Sequence, residues 1–349
     1  MDTAFTSTKS LNDGNRLTIL KLQKRLVTAQ QELASGRLAD TGLTLGGRTS
    51  ETVSLRQQYA RFTTLKETNS FVTTRLDVSQ TVLSTLSETA QKFIATMIAT
   101  RDTEGGASVA QGEAKADLVA LIDGLNNTVG GEYLFAGINN TVKPLTDYYA
   151  TPASAGRTAV ANAFTAAFGT TQSDPANVAI TGTGMQTFLD TTFSALFDDP
   201  SWSTDWSSAS SVNVTSRISA FETVESSANT GEQAFRKLAK AYTMVADLGA
   251  ENLSREAFAK VADTASRLAG EAIQDLSGIE ARLGTSAARV TSANSRMSAQ
   301  INIINTQIEN LEQVDPFEAS TRVTTLMTQL ETAYSLTARV QRLTILNYL

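Results

Sequence analysis

A mainly α protein is what this sequence predicts: a long antiparallel helical bundle or coiled coil built from both chain ends, around a small central mixed α/β or β-rich domain. Three observations predict it. Gly and Pro, the residues that interrupt helices, avoid two long stretches, from Arg48 to Glu104 and, Pro316 excepted, from Thr285 to Leu349. Apolar residues in those stretches recur at alternating steps of three and four. Finally, only 7% of the residues are aromatic and 41% apolar, while Ala, Ser, Thr, Leu and Gln abound, a mixture suited to helix-on-helix packing.

The first interruption-free stretch carries Phe62, Leu65, Asn69, Val72, Leu76, Ser79, Leu83, Leu86, Ala90, Phe93 and Met97 at heptad spacing. Such a seam belongs to a helix lying along another helix, and at ~1.5 Å per residue it would run roughly 80 Å. The C-terminal half repeats the spacing in Leu276, Ile279, Leu283, Val290, Asn294, Met297, Ile301, Ile304, Ile308 and Leu311, and is the expected partner. Asn69 and Asn294 are polar at seam positions, the kind of residue that fixes register; spacing alone does not say whether they meet.

Two helix starts are marked. Ser108-Val109-Ala110-Gln111 has the form of a capping box, with Gly130-Gly131 as the stop. Asp315-Pro316-Phe317-Glu318 combines a capping acid, Pro at the first helical position and Glu three residues on, so a separate helix should begin at Pro316. The chain ends carry amphipathic stripes: Leu11, Ile19, Leu22, Leu26, Ala29 and Leu33 at one end, and Val323, Leu326, Leu330, Tyr334, Val340, Leu343 and Leu346 at the other. Neither stripe is covered by its own short segment, so the two ends are expected to pair with each other and with neighbouring copies.

Between them the sequence changes. Pro144, Pro152, Pro175 and Pro200 cluster here, and Glu132–Ala136, Val178–Ile180 and Val212–Val214 read as short strands. The division expected is 1–48, an N-terminal axial helix and loop; 49–131, long bundle helices; 132–225, a central outward-facing domain; 226–314, C-terminal bundle helices; and 315–349, a C-terminal axial helix.

Charge and composition exclude several functions. The net charge is −6, without the dense basic face that phosphate backbones require, so nucleic acid is not an expected partner. Residues 1–48 hold seven Lys and Arg against four Asp and Glu, whereas 174–225 hold seven acids and only Arg217; the acidic middle reads as a solvated outer face. There is no Cys and no His, which removes disulfides, thiolate sites and the commonest general base and metal ligand. No uncharged apolar run of about 18 residues is present to span a membrane. Met1-Asp2-Thr3-Ala4-Phe5 lacks the basic-then-apolar pattern of a secretory signal, so export without cleavage is expected if the protein leaves the cell.

The remaining routes to chemistry are thin. Asp198-Asp199 beside Pro200 reads as a solvated turn rather than a cation site. Gly182-Thr183-Gly184 lacks the third Gly of a nucleotide fingerprint and reads as a turn. Trp202 and Trp206 read as hydrophobic anchors of the central domain, with sugar binding as the alternative. No catalytic residue, cofactor or metal site is predicted, and the protein is not expected to be an enzyme.

The run Gly130-Gly131-Glu132-Tyr133-Leu134-Phe135-Ala136-Gly137 resembles a motif of the flagellar hook–filament junction proteins (hook-associated protein 3), within the flagellin-like superfamily. Leu33-Ala34-Ser35-Gly36-Arg37 is similar to a Leu-Ser-Ser-Gly pattern of flagellins and their relatives, and the ending Leu346-Asn347-Tyr348-Leu349 is similar to that of the junction family. After Ser35-Gly36-Arg37 the chain continues Leu38-Ala39-Asp40-Thr41-Gly42, unlike the flagellin run, which favours the junction branch over a minor flagellin. The resemblance implies export through the flagellar type III route with a chaperone, and assembly into a ring. It places hook-associated protein 1 and flagellin as neighbours, in an extracellular appendage. Leu11, Ile19, Leu22, Leu26, Leu326, Leu330, Val340, Leu343 and Leu346 are the residues expected to carry axial packing between copies. A soluble coiled-coil secretion component is a further alternative.

Overall fold

In a computed structural model the backbone is described for residues 8–342 and the side chains for 12–339. In chain order the main elements are α1 (Thr8–Ser35), α2 (Thr41–Leu45), α3 (Thr49–Thr100), α4 (Gly106–Leu125), the strand pair β1 (Thr128–Val129) and β2 (Glu132–Tyr133), and α5 (Ala155–Phe168). There follow α6 (Gly182–Phe188), the pair β3 (Thr215–Arg217) and β4 (Thr223–Glu225), α7 (Gln233–Asp247), α8 (Arg255–Glu312) and α9 (Pro316–Arg342). The mainly α architecture is as the sequence predicts. Two compact units are distinguishable: Met1–Thr64 with Met297–Leu349, and Leu65–Arg296.

The second unit holds most of the core. Every seam residue of α3 from Asn69 to Met97 is buried, including the polar and small ones, Asn69, Ser79 and Ala90. The partner is the one expected. Asn69 donates to Asn294 Oδ1 at 2.8 Å, and Arg101 grips Asp263 at 2.6 Å. The partner number falls as the α3 number rises, so α3 and α8 run antiparallel. Asn69 also donates to the Ile218 carbonyl at 2.9 Å, tying the β3–β4 hairpin to the seam. Packing a polar residue at a seam position sacrifices apolar burial but penalises any slip that would break these bonds.

α4 and α7 close the same core. Gln111 donates to the Ala246 carbonyl at 3.1 Å, and Phe93 meets Tyr242 edge-on at 4.9 Å. α4 begins at Gly106, not at a Ser108 cap, because the chain doubles back so tightly that a Cβ on Gly106 would lie 2.2 Å from the Thr100 carbonyl oxygen. Nor does Gly130-Gly131 stop α4. The helix ends at Leu125, and the two glycines form the turn between β1 and β2.

The centre is mixed rather than β-rich. Glu132–Ala136 contributes only a two-residue strand. Val178 and Ala179 end a 3₁₀ turn, Pro175–Ala179, and only Ile180 after it is extended; Asp174 caps the Ala176 N–H at 2.8 Å and Asn177 donates to the Thr171 carbonyl at 2.8 Å. Val212–Val214 lies just before β3. Around Val178 these local side-chain bonds compete with an extended backbone, whereas Val214 accepts from the Ser226 N–H at 2.8 Å without extending β3. The centre is organised instead by ring packing: Phe164, Phe188, Phe193, Phe197, Trp202 and Trp206 succeed one another at centroid distances of 5.2–6.4 Å. Two π-helical turns, Leu189–Phe193 and Trp202–Trp206, rotate the side chains onto that line.

Candidate functional site

In the first unit α1 and α9 pack antiparallel, and the bonds between them define the register. Gln23 donates to Tyr334 Oη at 2.8 Å, and Arg322 donates to Glu32 at 3.0 Å. At the closed end the Val314 N–H reaches the Gly36 carbonyl at 3.0 Å and the Leu38 N–H reaches that of Glu312 at 2.8 Å. The Leu33–Arg37 segment that resembles the flagellin pattern is therefore the turn that ends α1. Gly36 closes it through its N–H to the Glu32 carbonyl at 2.8 Å, while Ser35 Oγ accepts from the Arg37 N–H.

Glu312 is 1% exposed and satisfied by a two-pronged Arg56, with Nε to Oε1 at 3.0 Å and Nη2 to Oε2 at 2.7 Å. The Glu312 bonds raise the Arg56 guanidinium above its ordinary pKa. The start of α9 is as predicted: Asp315 Oδ1 accepts from the Phe317 N–H at 2.8 Å. Glu318 turns outward to Arg322 at 2.7 Å instead of completing a capping box.

The residues singled out for axial packing fall in three groups. Ile19, Leu22, Leu26 and Leu330 are half-buried and Leu326 buried, on helices that pack on each other within one chain. Leu11 and Val340 lie on α1 and α9, but their side chains are outside those described; Leu343 and Leu346 lie outside the described residues altogether. A second apolar set, which stripe-following did not select, is in the open: Leu17, Leu20 and Val27 on α1, Met327 and Leu336 on α9, Leu43 on α2 and Phe317 at the start of α9. Lys24 interrupts the heptad step from Leu17 and Leu20 to Val27, so the periodicity that reveals one face hides the other.

The motif residues Gly131–Gly137 lie in the second unit and form an internal lock. Buried Arg75 on α3 donates to Glu132 at 2.9 Å and to the Tyr133 carbonyl at 3.2 Å. Leu134, Phe135 and Ala136 are fully buried, with Phe135 edge-on to Phe235 at 5.6 Å. The Phe135 carbonyl accepts from the Thr230 N–H and the Ala136 carbonyl from the Ser210 N–H, each at 3.0 Å. Gly137 has φ +61°, and a Cβ there would lie 2.5 Å from the Ser210 oxygen and 2.6 Å from that of Val212. The motif thus clamps the hairpin, the centre and α3 together. Arg75, its partner, was not picked out from the sequence, since a single Arg beside a seam position carries no local signal.

Among the described residues the sequence's candidates for chemistry are not brought together into one site. Among the described residues there is no group of three potential metal ligands. Trp202 and Trp206 are buried and stacked on each other at 5.7 Å, with Arg236 over Trp202, so neither offers a ring face to a sugar. Asp199 is held by Arg236 at 2.7 Å, which lowers its pKa. Gly182-Thr183-Gly184 is the first turn of α6 rather than a free loop, with Glu256 packed where a Gly182 Cβ would stand. A cleft of about 340 Å³ lined by Arg157, Asp247 and Glu251 has the Asp247 carboxylate already engaged by Tyr148 Oη at 2.8 Å. No described helix is long and apolar enough to cross a membrane.

Comparison with known proteins agrees with the architecture. The model of the bacterial flagellin N-terminal helical region matches residues 6–140, and that of the bacterial flagellin C-terminal helical region matches 267–349. Among curated proteins none matches the sequence. A solved structure put forward as that of a flagellar hook-associated protein from Vibrio parahaemolyticus superposes with a TM-score of 0.52 at 10% identity, covering 76% of this chain and 97% of that one; at such identity the likeness is one of fold.

Proposed function

We propose, from the premise that this chain belongs to the flagellin-like family of structural subunits, that it is the subunit joining the flagellar hook to the filament. On this reading it is exported by the flagellar type III route with a chaperone and assembles with copies of itself, with hook-associated protein 1 on one side and flagellin on the other. The appendage it serves is extracellular, and its role is mechanical rather than enzymatic.

One observation carries the assembly reading. The α1–α9 pair is held by hydrogen bonds within the chain, yet leaves Leu17, Leu20, Val27, Met327 and Leu336 exposed. Each such side chain would gain on the order of 1.5–3 kcal/mol on burial, and no described part of the chain supplies the cover. Neighbouring copies would. The junction position, as against a minor flagellin, is supported by the Gly131–Gly137 lock and by the Leu38–Gly42 departure from the flagellin run. The sugar-binding alternative loses its support with the burial of Trp202 and Trp206.

A deletion strain tests the position. Filament protein shed into the medium while hooks stay attached is the expected result, and normal filaments would overturn the reading. Immunogold labelling of a single band at the filament base, as opposed to label along its length, separates the junction from a minor flagellin. Truncation from Pro316 should leave the second unit folded and abolish incorporation.

A further inference from the structure

The terminal pair carries a groove whose chemistry its own chain does not use. Lys21, Lys24 and Arg25 on α1 and Arg322 on α9 rim a depression of about 570 Å³, floored by Ala29 and Leu326. Leu43 of α2 also lines it, 85% exposed. Arg322 is paired with Glu32 and Glu318, but Lys21, Lys24 and Arg25 have no acidic partner among the described residues. Three unpaired cations around an apolar floor suit an apolar knob flanked by carboxylates. Solvent satisfies the rim without covering the floor, and a bare acid would satisfy the rim without filling it.

The same unit presents such a knob. Phe317 is 85% exposed and stands between the exposed Asp315 and Glu318 at the start of α9. It does not fill the groove of its own chain. Arg322 and Leu326 lie five to nine residues further along α9, roughly 7–14 Å at ~1.5 Å per residue. Glu318 is tied only to Arg322 by a surface i,i+4 pair, an interaction weak enough to be exchanged.

We infer that Phe317 of one copy seats in the Lys21–Arg25 groove of the next, so that a second copy of this chain is the groove's occupant. This rests on the assembly reading above and specifies it. Knob and groove are made of different residues that adjoin at the Glu318–Arg322 pair, so each copy gives one and receives one. Such a head-to-tail contact propagates into a ring or helical tier, whereas a self-complementary patch would stop at a pair. The aromatic ring supplies the buried anchor and the charges fix orientation.

Charge exchange tests the contact. Lys21→Glu with Lys24→Glu and Arg25→Glu reverses the groove; Glu318→Lys reverses the acid beside the knob and leaves the Asp315 cap intact. Circular dichroism of each purified full chain checks that these exposed changes leave the helices formed. In cells lacking the native copy, each variant alone should fall at least about tenfold in sheared appendages, and co-expression should restore incorporation because every reversed groove then meets a reversed knob. Undiminished incorporation of either variant alone overturns the contact. So does loss without mutual rescue, which would point to an acidic segment of another protein as the occupant.

A second arm is independent of the flagellum. The chain has no Cys, so purified Ser320→Cys chains, with the thiol at an exposed position one turn from an intact Phe317, and Thr28→Cys chains can be mixed with a short bis-maleimide. Their mixed conjugate should exceed that of Thr28→Cys with Ile303→Cys. Equal yields overturn the contact even if the flagellar role holds. An enriched conjugate from a protein absent from appendages keeps the contact and overturns the role.

Discussion

Replacing Gly137 by Ala tests whether the Gly131–Gly137 run is a packing lock or merely a flexible turn, with Gly131→Ala as its internal control. Both glycines have positive φ, +61° and +84°. A side chain in that region costs roughly 1–2 kcal/mol whatever surrounds it. At Gly131 that is all, since nothing lies within 4 Å of the added Cβ. At Gly137 the Cβ also meets two carbonyl oxygens at 2.5 and 2.6 Å, both on backbone that cannot swing aside as a side chain would. Relieving that overlap displaces the Ser210–Val212 segment and weakens the Ser210 N–H bond to Ala136. Overpacking of this kind costs about 1–3 kcal/mol, so the Gly137 variant should lose about 2–5 kcal/mol in total and the Gly131 variant about 1–2.

The assay is urea unfolding followed by tryptophan fluorescence. Trp202 and Trp206 are the only tryptophans and both sit in the second unit, so the signal reports that unit. Equal shifts in midpoint for the two substitutions would refute the close-approach argument and leave only backbone conformation.

Three further predictions extend the reasoning. Desolvation beside Glu113 on its own helix, opposed by Lys92 of α3 and with Tyr242 of α7 nearby, pushes the Asp117 carboxyl up to about 7. A raised carboxyl binds its proton more tightly when folded, so this group's contribution to stability should fall as pH rises from about 4 to about 7 and then level off. Asp117→Asn should remove that slope and gain ~1–2 kcal/mol at pH 8 after discounting for its partial exposure, with little change at pH 4, as read from unfolding curves at both values. Arg56→Met should destabilise the first unit more than Glu312→Gln, by about 2 kcal/mol, because it strands a buried carboxylate whereas the reverse change frees an exposed guanidinium; hydrogen exchange over residues 305–314 would show the difference. Leu17→Ser with Leu20→Ser should leave monomer stability within ~0.5 kcal/mol and reduce incorporation into appendages; incorporation at the original level would count against an outer assembly face.

Much of this was legible in the chain itself. The seam from Asn69 to Met97, its antiparallel partner around Leu276–Leu311, and the Asp315-Pro316 start of α9 follow from periodicity and capping, which act within a few residues. The mispredicted pieces share a cause. Gly106 begins its helix early, Gly130-Gly131 turns a hairpin, and Val178 and Ala179 coil instead of extending, each because an atom distant in sequence or a competing side-chain bond settled the local choice.

What the sequence determined alone is the class of the molecule: helical ends, an interrupted acidic middle, and no side chains for thiol or imidazole chemistry. Tertiary structure decided how faces and partners were assigned. It turned Ile19, Leu22, Leu26 and Leu326 toward a helix of the same chain while leaving Leu17, Leu20 and Val27 outside, brought Arg75 to Glu132, and stacked Trp202 on Trp206 instead of offering either to a ligand. A helix fixes which residues share a side at 3.6 residues per turn, but which side meets which neighbour depends on the angle and depth at which whole helices settle. Those are set by the summed packing of many residues, and no short stretch of sequence encodes them.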